Sequence, residues 1–182
     1  MGKTLSTGAI LAIAKTYATS SNMTAITNAA EAVATLAAAH GVVVGDYLEI
    51  TSGWGLLNGM VVRAKAVSTN DVTLEGIATT DTTKYPAGSG TGSVRRITAW
   101  DNMSQVKGLS RSGGEQKWAD ATALEDVVET QMPTTRGAIS LSIDVFDDPT
   151  LAWYASVQAA SDAGTPYALR ISLKSGAKIV AN

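Results

Sequence analysis

The stretch that decides the fold is "ISLSIDVFDDPTLAWYASVQAASDAGTPYALRISLK", residues 139–174. Its first seven residues alternate apolar and polar side chains, and this period of two predicts a half-buried strand. Apolar side chains then recur at helical spacing over about 149–163, where Asp148 can cap the helix, Pro149 suits its first position and Gly164 its end. Alternation returns in the last eight residues. The stretch therefore predicts a strand, one helix and a strand packed together.

Short strands fill the N-terminal half of the chain. "DYLEITS" (46–52), "MVVRAKAV" (60–67) and "DVTLEGI" (71–77) follow one another closely, which indicates an antiparallel meander. "SVRRITAW" (93–100) is a further strand. At 31–38 a strand is favoured over the helix that the alanines would allow, because a glycine turn and a clear strand follow at once.

The predicted fold is mainly β: an antiparallel β-sandwich or partial barrel with one flanking α-helix at about 149–163. We also predict a long loop at about 108–135. A loop of this length is uncommon inside a compact domain and tends to be functional. We expect a single domain, 1–182, with these parts: an N-terminal arm or strand (1–22), a strand-rich meander (23–107), the long loop (108–135) and the strand–helix–strand segment (136–182).

Composition favours a chain that works by assembling. Of the 182 residues, 16% are charged, well below the roughly 25% usual for soluble domains. Such a chain can hide much of its surface against copies of itself. Cysteine is absent, which excludes disulfides and Cys-ligated metals. The net charge of −2, with no basic tract, disfavours a protein that reads nucleic-acid sequence.

Isolated residues suggest chemical sites but lack the partners such sites need. His40, the single histidine, has no second nitrogen or sulfur ligand, and no "GxSxG" motif occurs, so we predict a hairpin turn. Gly88, Gly90 and Gly92 lack the spacing of a phosphate-binding loop and predict a flexible loop.

Acidic and aromatic residues also fall short of a catalytic pattern. Two acidic clusters lack a paired nucleophile and base: Glu125, Asp126 and Glu129, and Asp144, Asp147 and Asp148. The tryptophans are scattered and suggest core or interface anchors: Trp54, Trp100, Trp118 and Trp153. We therefore predict no enzyme activity, no catalytic or metal site and no cofactor.

"LSIDVFDDPTLAWYASVQAASDAGTPYALRISLKSGAKI" (141–179) resembles the strand–helix–strand segment of the major tail (tail tube) proteins of long-tailed bacteriophages. Its last strand follows the type "YxLRIxxxxG", and the similarity extends upstream through "AGSGTGSVRRITAWDNMSQVKGLSRSGGEQKWAD" (87–120). The resemblance implies a homo-oligomer in which six copies form a ring and their strands close an inner β-barrel. Rings would stack into a virion tail tube, made in the bacterial host cytoplasm and joined to other tail proteins at its ends.

Under this resemblance, double-stranded DNA would pass through the tube without sequence-specific binding, so the wall should not be basic. The candidate lumen residues are Ser140, Ser142 and Asp144. On the opposite face of the strand, Ile139, Leu141, Ile143 and Val145 would enter the sandwich core. A solvated exterior remains the alternative for the polar face, since alternation shows only which residues share a face.

The long loop is predicted to contact the neighbouring ring. Its candidate residues are Ser110, Arg111, Gln116, Lys117, Trp118, Glu125 and Glu129. In the last predicted strand, Arg170 and Lys174 would pair with acids of a neighbouring subunit. The resemblance implies at least one strand beyond "KIVAN" (178–182), which leaves open a short variant or a longer gene product.

Other interpretations remain open at the level of sequence. A capsid decoration or carbohydrate-binding β-sandwich would act through protein–protein or carbohydrate binding, and bacterial secretion tubes share the ring architecture. An enzyme with a carboxylate pair is the third class. The sequence also does not separate a phage tail from a prophage-derived particle.

Overall fold

Antiparallel strands dominate the computed structural model, which describes residues 8–125, 127–173 and 178–181. The mainly β fold with antiparallel sheets and one helix is confirmed. The elements are β1 (Ile10–Tyr17), β2 (Ser21–Ile26), β3 (Val33–Leu36), β4 (Tyr47–Ser52), β5 (Val61–Ser68), β6 (Asp71–Leu74), β7 (Gly92–Met103), β8 (Val106–Gly113), β9 (Gln116–Asp120), β10 (Gln131–Arg136), β11 (Ile139–Val145), α1 (Ala152–Ala163), β12 (Leu169–Ser172) and β13 (Lys178–Ala181).

The described residues form two compact units. We call residues 8–104 with 149–173 and 178–181 the barrel unit, and the described part of 105–148 the ribbon unit. The expectation of a single domain with the internal boundaries given above stays a prediction.

Six strands of the barrel unit close into a ring. β7 pairs with β2 through residues 92–94 and with β4 through residues 92–97, and the order β2–β3–β6–β5–β4 joins the two sides. Leu48 and Ile50 of β4 are fully buried while Glu49 between them is not, as the period of two requires. Closure removes the free edges of these strands and leaves one apolar interior.

The "GSGTG" segment (88–92) packs on the barrel core at Trp54. The indole Nε1 of Trp54 donates a hydrogen bond to the Pro86 carbonyl oxygen at 2.8 Å. A Cβ atom built at Gly90 would lie 2.5 Å from Ile26 Cγ2 and 2.7 Å from the Trp54 ring. Residues 88–91 form a loop, as predicted, but Gly90 within it is buried, and its missing side chain allows close packing.

A second layer extends from β7. β1 pairs with β7 and with β12, and β12 pairs with β13. β1 belongs to the predicted N-terminal arm, whose residues 1–7 lie outside the described part, so the arm is in part a strand of this sheet. Helix α1 packs on β1 and β7, and its Trp153 is buried. Asp101 of β7 accepts hydrogen bonds from Ser156 of α1 and Lys15 of β1.

Helix α1 confirms the single predicted helix but begins at Ala152 rather than 149. Leu151 is the N-cap residue, and no side chain caps the helix there. Asp148 is not the N-cap residue as predicted, because the helix begins three residues further on; its carboxylate accepts a hydrogen bond from Gln105 Nε2 at 3.2 Å. At the other end, Gly164 closes the helix as predicted, with a φ of 58°.

The long loop predicted at 108–135 is mostly strand, which corrects that prediction. β8 pairs with β11 and β9 pairs with β10, so the ribbon unit consists of two two-stranded sheets. β8, β9 and β10 bury no side chain in the single chain. The sequences of these three strands lack a run of alternating apolar and polar side chains, and this is why sequence pattern did not reveal them.

Candidate assembly surface

The sheet of β8 and β11 has a defined register. The paired residues are Ile139 with Gly113, Ser140 with Ser112, Leu141 with Arg111, Ser142 with Ser110, Ile143 with Leu109, Asp144 with Gly108 and Val145 with Val106. Residues directly opposite each other in an antiparallel pair share a face. The register therefore assigns every side chain of these two strands to one of two faces.

One face is small and polar, and we call it the serine face. It consists of Gly108, Ser110, Ser112, Ser140, Ser142 and Asp144. The structure thus brings together the three predicted lumen residues, and it adds Ser110, which the sequence had assigned to the ring-to-ring contact. Ser112 was missed, because a serine within an apparent loop gives no signal. Asp144 is the charged residue of this face, and its carboxylate lies over Gly108, where a Cβ would approach Oδ2 to 3.2 Å.

The opposite face is apolar and open in the single chain. It carries Leu109, Arg111, Ile139, Leu141, Ile143 and Val145. Ile139 is 60% exposed and Leu141 is 39% exposed. The predicted burial of this face in a sandwich core is wrong for the isolated subunit, since alternation identified the face correctly but not what covers it.

The ribbon unit bends at two glycines between β8 and β9. Gly113 and Gly114 have φ angles of 82° and 81°, a region that side chains disfavour. A Cβ at Gly113 would lie 1.9 Å from the Ala138 carbonyl oxygen, so the backbones approach closely here. On the far side of the bend, the Gly137 N–H donates to the Glu115 carbonyl oxygen at 2.8 Å and restores the pairing.

The sheet of β9 and β10 holds the next predicted contact residues. Trp118 lies opposite Pro133 and is 58% exposed. Gln116 Nε2 donates to the Thr134 carbonyl oxygen at 3.2 Å, and the Lys117 carbonyl oxygen accepts from Thr134 Oγ1 at 3.0 Å. Gln116 and Thr134 hold the two strands together, while the Trp118 ring remains available to a partner.

The described residues between β9 and β10, 121–125 and 127–130, form a turn, and we call the segment 121–130 the tip. Leu124, Val127 and Val128 are strongly exposed there, beside the predicted contact residues Glu125 and Glu129. Asp126 of the same predicted cluster lies outside the described residues.

Asp120 orders the base of the tip. Its carboxylate accepts hydrogen bonds from the Thr122 hydroxyl at 2.6 Å and the Thr122 N–H at 2.9 Å, and these bonds lower the pKa of Asp120. The base of the tip is thus ordered by hydrogen bonds, while the apolar side chains of the tip are exposed to solvent.

His40 has a structural role, as its predicted turn requires. Its Nδ1 accepts the Val42 N–H at 3.1 Å, so Nε2 carries the proton and donates to the Thr69 carbonyl oxygen at 2.9 Å. Asp46 is engaged elsewhere, with the Val43 N–H at 2.9 Å and Arg96 at 3.3 Å. Both ring nitrogens of His40 therefore form hydrogen bonds, and these bonds join two turns.

Two kinds of feature are absent from the described residues. Within them, no group of three or more histidine, aspartate or glutamate side chains is placed to hold a metal ion. No helix in this part of the chain has the length and apolar character that crossing a membrane would need. Lys174, the second predicted partner of neighbouring acids, lies outside the described residues.

Comparison with known proteins identifies the family. A model of the phage tail tube protein family matches residues 52–182, which includes the whole ribbon unit and more than two thirds of the chain. No curated protein and no solved structure shows a significant match. The family is structural rather than enzymatic. The chain belongs to the phage tail tube protein family and is a structural subunit of a phage tail.

Proposed function

We propose that six copies of this subunit form a ring whose inner wall is built from the β8–β11 sheets, and that stacked rings form the conduit for genome delivery. The observation that carries the proposal is the ribbon unit itself. It is a pair of two-stranded sheets with an open apolar face, and such sheets are marginally stable alone in water.

Ring closure would satisfy the free edges of this sheet. In the single chain β8 and β11 pair only with each other, so each has an edge of unpaired N–H and C=O groups. Pairing β11 of one copy with β8 of the next would continue the sheet around the ring and leave no edge. The apolar face would then be covered within the assembly, which accounts for exposed Ile139 and Leu141.

The serine face is the better choice for the lumen. Double-stranded DNA is a dense polyanion. Lysine or arginine in the wall would bind it, because contacts with phosphates release counterions and this release favours binding. The serine face has one carboxylate and no base, whereas the apolar face carries Arg111. Small side chains also leave the bore wide. Other tail proteins would bind at the ends of the tube.

The β9–β10 sheet and the tip are proposed to contact the neighbouring ring. They carry Trp118, Met132 and Leu124 in exposed positions. Exposed aromatic and apolar side chains are typical anchors of protein interfaces. Removing residues 115–136 should leave a folded, monomeric barrel unit that no longer forms tubes, and polymerisation of that variant would contradict this assignment.

The lumen assignment is tested by charge. In phage carrying Asp144→Lys, tubes should assemble with normal length while DNA ejection slows and infectivity falls. Thr82→Lys, on an exposed turn of the barrel unit, adds a lysine as the matched control and should leave infectivity unchanged. Normal infectivity of the Asp144→Lys phage would contradict a lumen position for the serine face.

A further inference from the structure

An apolar cleft of about 280 Å³ lies on the barrel unit between β5 and β13. Its lining includes the apolar residues Met60, Val61, Ile77 and Val180, which we call its apolar floor. At its rim, Arg63 and Glu75 form an ion pair with an N–O distance of 3.1 Å. The cleft has room for one or two aliphatic side chains.

Arg170 lies beside this cleft, and no acid among the described residues forms an ion pair with it. It is the register partner of Val180, and its guanidinium lies 4.6 Å from the centre of the Trp100 ring and 5.7 Å from that of Tyr47, which lines the cleft. Every other lysine and arginine of the barrel unit whose described side chain can be assessed forms an ion pair with an acid. Arg170 Nε is buried with no hydrogen-bond partner. A guanidinium held against aromatic rings is preorganised to bind a carboxylate.

The tip carries the complementary chemistry. Asp120 to Thr130 contains four acids and no base, and the apolar side chains of Leu124, Val127 and Val128 stand among them in solvent. The same complementarity holds for the units as a whole. Residues 105–148 have eight acidic and four basic residues, whereas the rest of the chain has eight acidic and ten basic residues. Opposite charge therefore favours contact between the ribbon unit of one copy and the barrel unit of another.

We propose that the tip of one subunit docks in the cleft of a second copy, with its aliphatic side chains on the apolar floor and a glutamate of the tip bound to Arg170. This contact rests on the tube assembly proposed above and identifies the two surfaces that meet between rings. It supplies the acid that Arg170 lacks in the single chain and covers the most exposed apolar side chains of the tip.

Cross-linking tests the contact directly, because the chain has no cysteine of its own. Val127→Cys and Ile77→Cys subunits are mixed, assembled into tubes and treated with a short bismaleimide. A cross-linked dimer is expected from this mixture. Val43→Cys, in an exposed loop of the barrel unit, replaces Ile77→Cys as the control and should give none. Equal cross-linking to Val43→Cys, or dimers of Val127→Cys alone, would overturn the proposal.

Charge reversal tests the role of Arg170. The double change Glu125→Arg and Glu129→Arg should raise the critical concentration for tube assembly about tenfold or more, since charged hydrogen bonds are lost and like charges meet. Adding Arg170→Glu to that variant should recover most of the loss. Asp162→Arg with Ser161→Arg, exposed on α1, reverses one acid and adds one base as the control and should change assembly little. Absence of rescue, with the barrel still folded by circular dichroism, would overturn the role of Arg170.

The two proposals fail in different ways. Tubes assembled from the Val127→Cys and Ile77→Cys subunits that show no cross-link between these positions would refute the docking contact and leave tube assembly standing. Wild-type protein that forms no rings or tubes by negative-stain microscopy at any concentration would refute both.

Discussion

Trp54 and Trp118 are the same residue type in opposite circumstances. Trp54, in the barrel unit, is 1% exposed and its N–H is hydrogen-bonded, whereas Trp118, in the ribbon unit, is 58% exposed. The ion pairs follow the same division: within the described residues all six lie in the barrel unit. Apart from Arg170, the basic side chains that can be assessed in the barrel unit are paired within one chain, whereas the ribbon unit exposes Trp118 and its apolar face.

Trp54→Ala should have the largest effect on the stability of the subunit. Removing a fully buried indole leaves a cavity in the barrel core and takes away one donor to the Pro86 carbonyl oxygen, which also accepts from Ser89 Oγ, and we expect a loss of about 3–5 kcal/mol. Urea unfolding of the monomer measures it. Trp118→Ala is the matched control, and an equal loss there would remove the distinction between the two units.

Gly90→Ala should cost less, at about 1–3 kcal/mol, because the added methyl group overpacks Ile26 and the Trp54 ring. Gly88→Ala, at a position with open space but a φ of 79°, controls for backbone strain alone. If unfolding curves show that Gly88→Ala lowers the stability more than Gly90→Ala does, backbone conformation rather than packing determines which substitutions this segment tolerates.

Asp101 should make the barrel unit acid-sensitive. The hydrogen bond from Ser156, followed by the contact with Lys15, lowers the pKa of Asp101 below its usual 3.8. A lowered pKa means stabilisation that is present above about pH 4 and is lost as the pH falls through the value in the folded state.

Asp101→Asn should therefore destabilise the subunit at pH 7 by about 1–3 kcal/mol, the range for a charged hydrogen bond. The difference from wild type should shrink as the pH is lowered from 5 to 2, and urea unfolding across that range measures it. A difference that stays constant with pH would show that the ionised carboxylate is not what holds α1 to the sheet.

Ile139→Ser with Leu141→Ser should have the smallest effect on unfolding, within about 0.5 kcal/mol, because both side chains are exposed in the monomer. Tube formation should nevertheless be lost, as followed by light scattering and negative-stain microscopy. Tubes of normal appearance from this variant would show that the apolar face is not an assembly surface.

The sequence predicted elements where a local pattern coincided with burial in one chain. The alternation of β4 and the spacing around Trp153 are such cases, and both elements are present. β2 was missed because "SNMTAI" alternates weakly, with Met23 as its single buried side chain. Local sequence pattern also could not predict that β7 closes the six-stranded barrel, because this closure joins strands that lie far apart along the chain.

The assembly surface could be predicted only in part. Alternation placed Ser140, Ser142 and Asp144 on one face, which the register confirms. It could not find the partner strand, because β8 reads as "VKGLSRSG", with glycine and serine where an apolar period would be expected. Nor could it tell a core from an interface, since Leu141 has the same sequence signature in either place.

The exposed state of the ribbon unit has a kinetic consequence. Ordering the β8–β11 sheet costs conformational entropy, and in a free subunit few contacts offset that cost. Formation of the first ring should therefore be slow, because its subunits must order this sheet before neighbours cover it. A subunit that adds to an existing tube end finds its partner surface already in place. Polymerisation should then show a lag phase that preformed tube fragments abolish. Tubes would grow where a template exists, and stray filaments would be rare in a cell full of unassembled subunits.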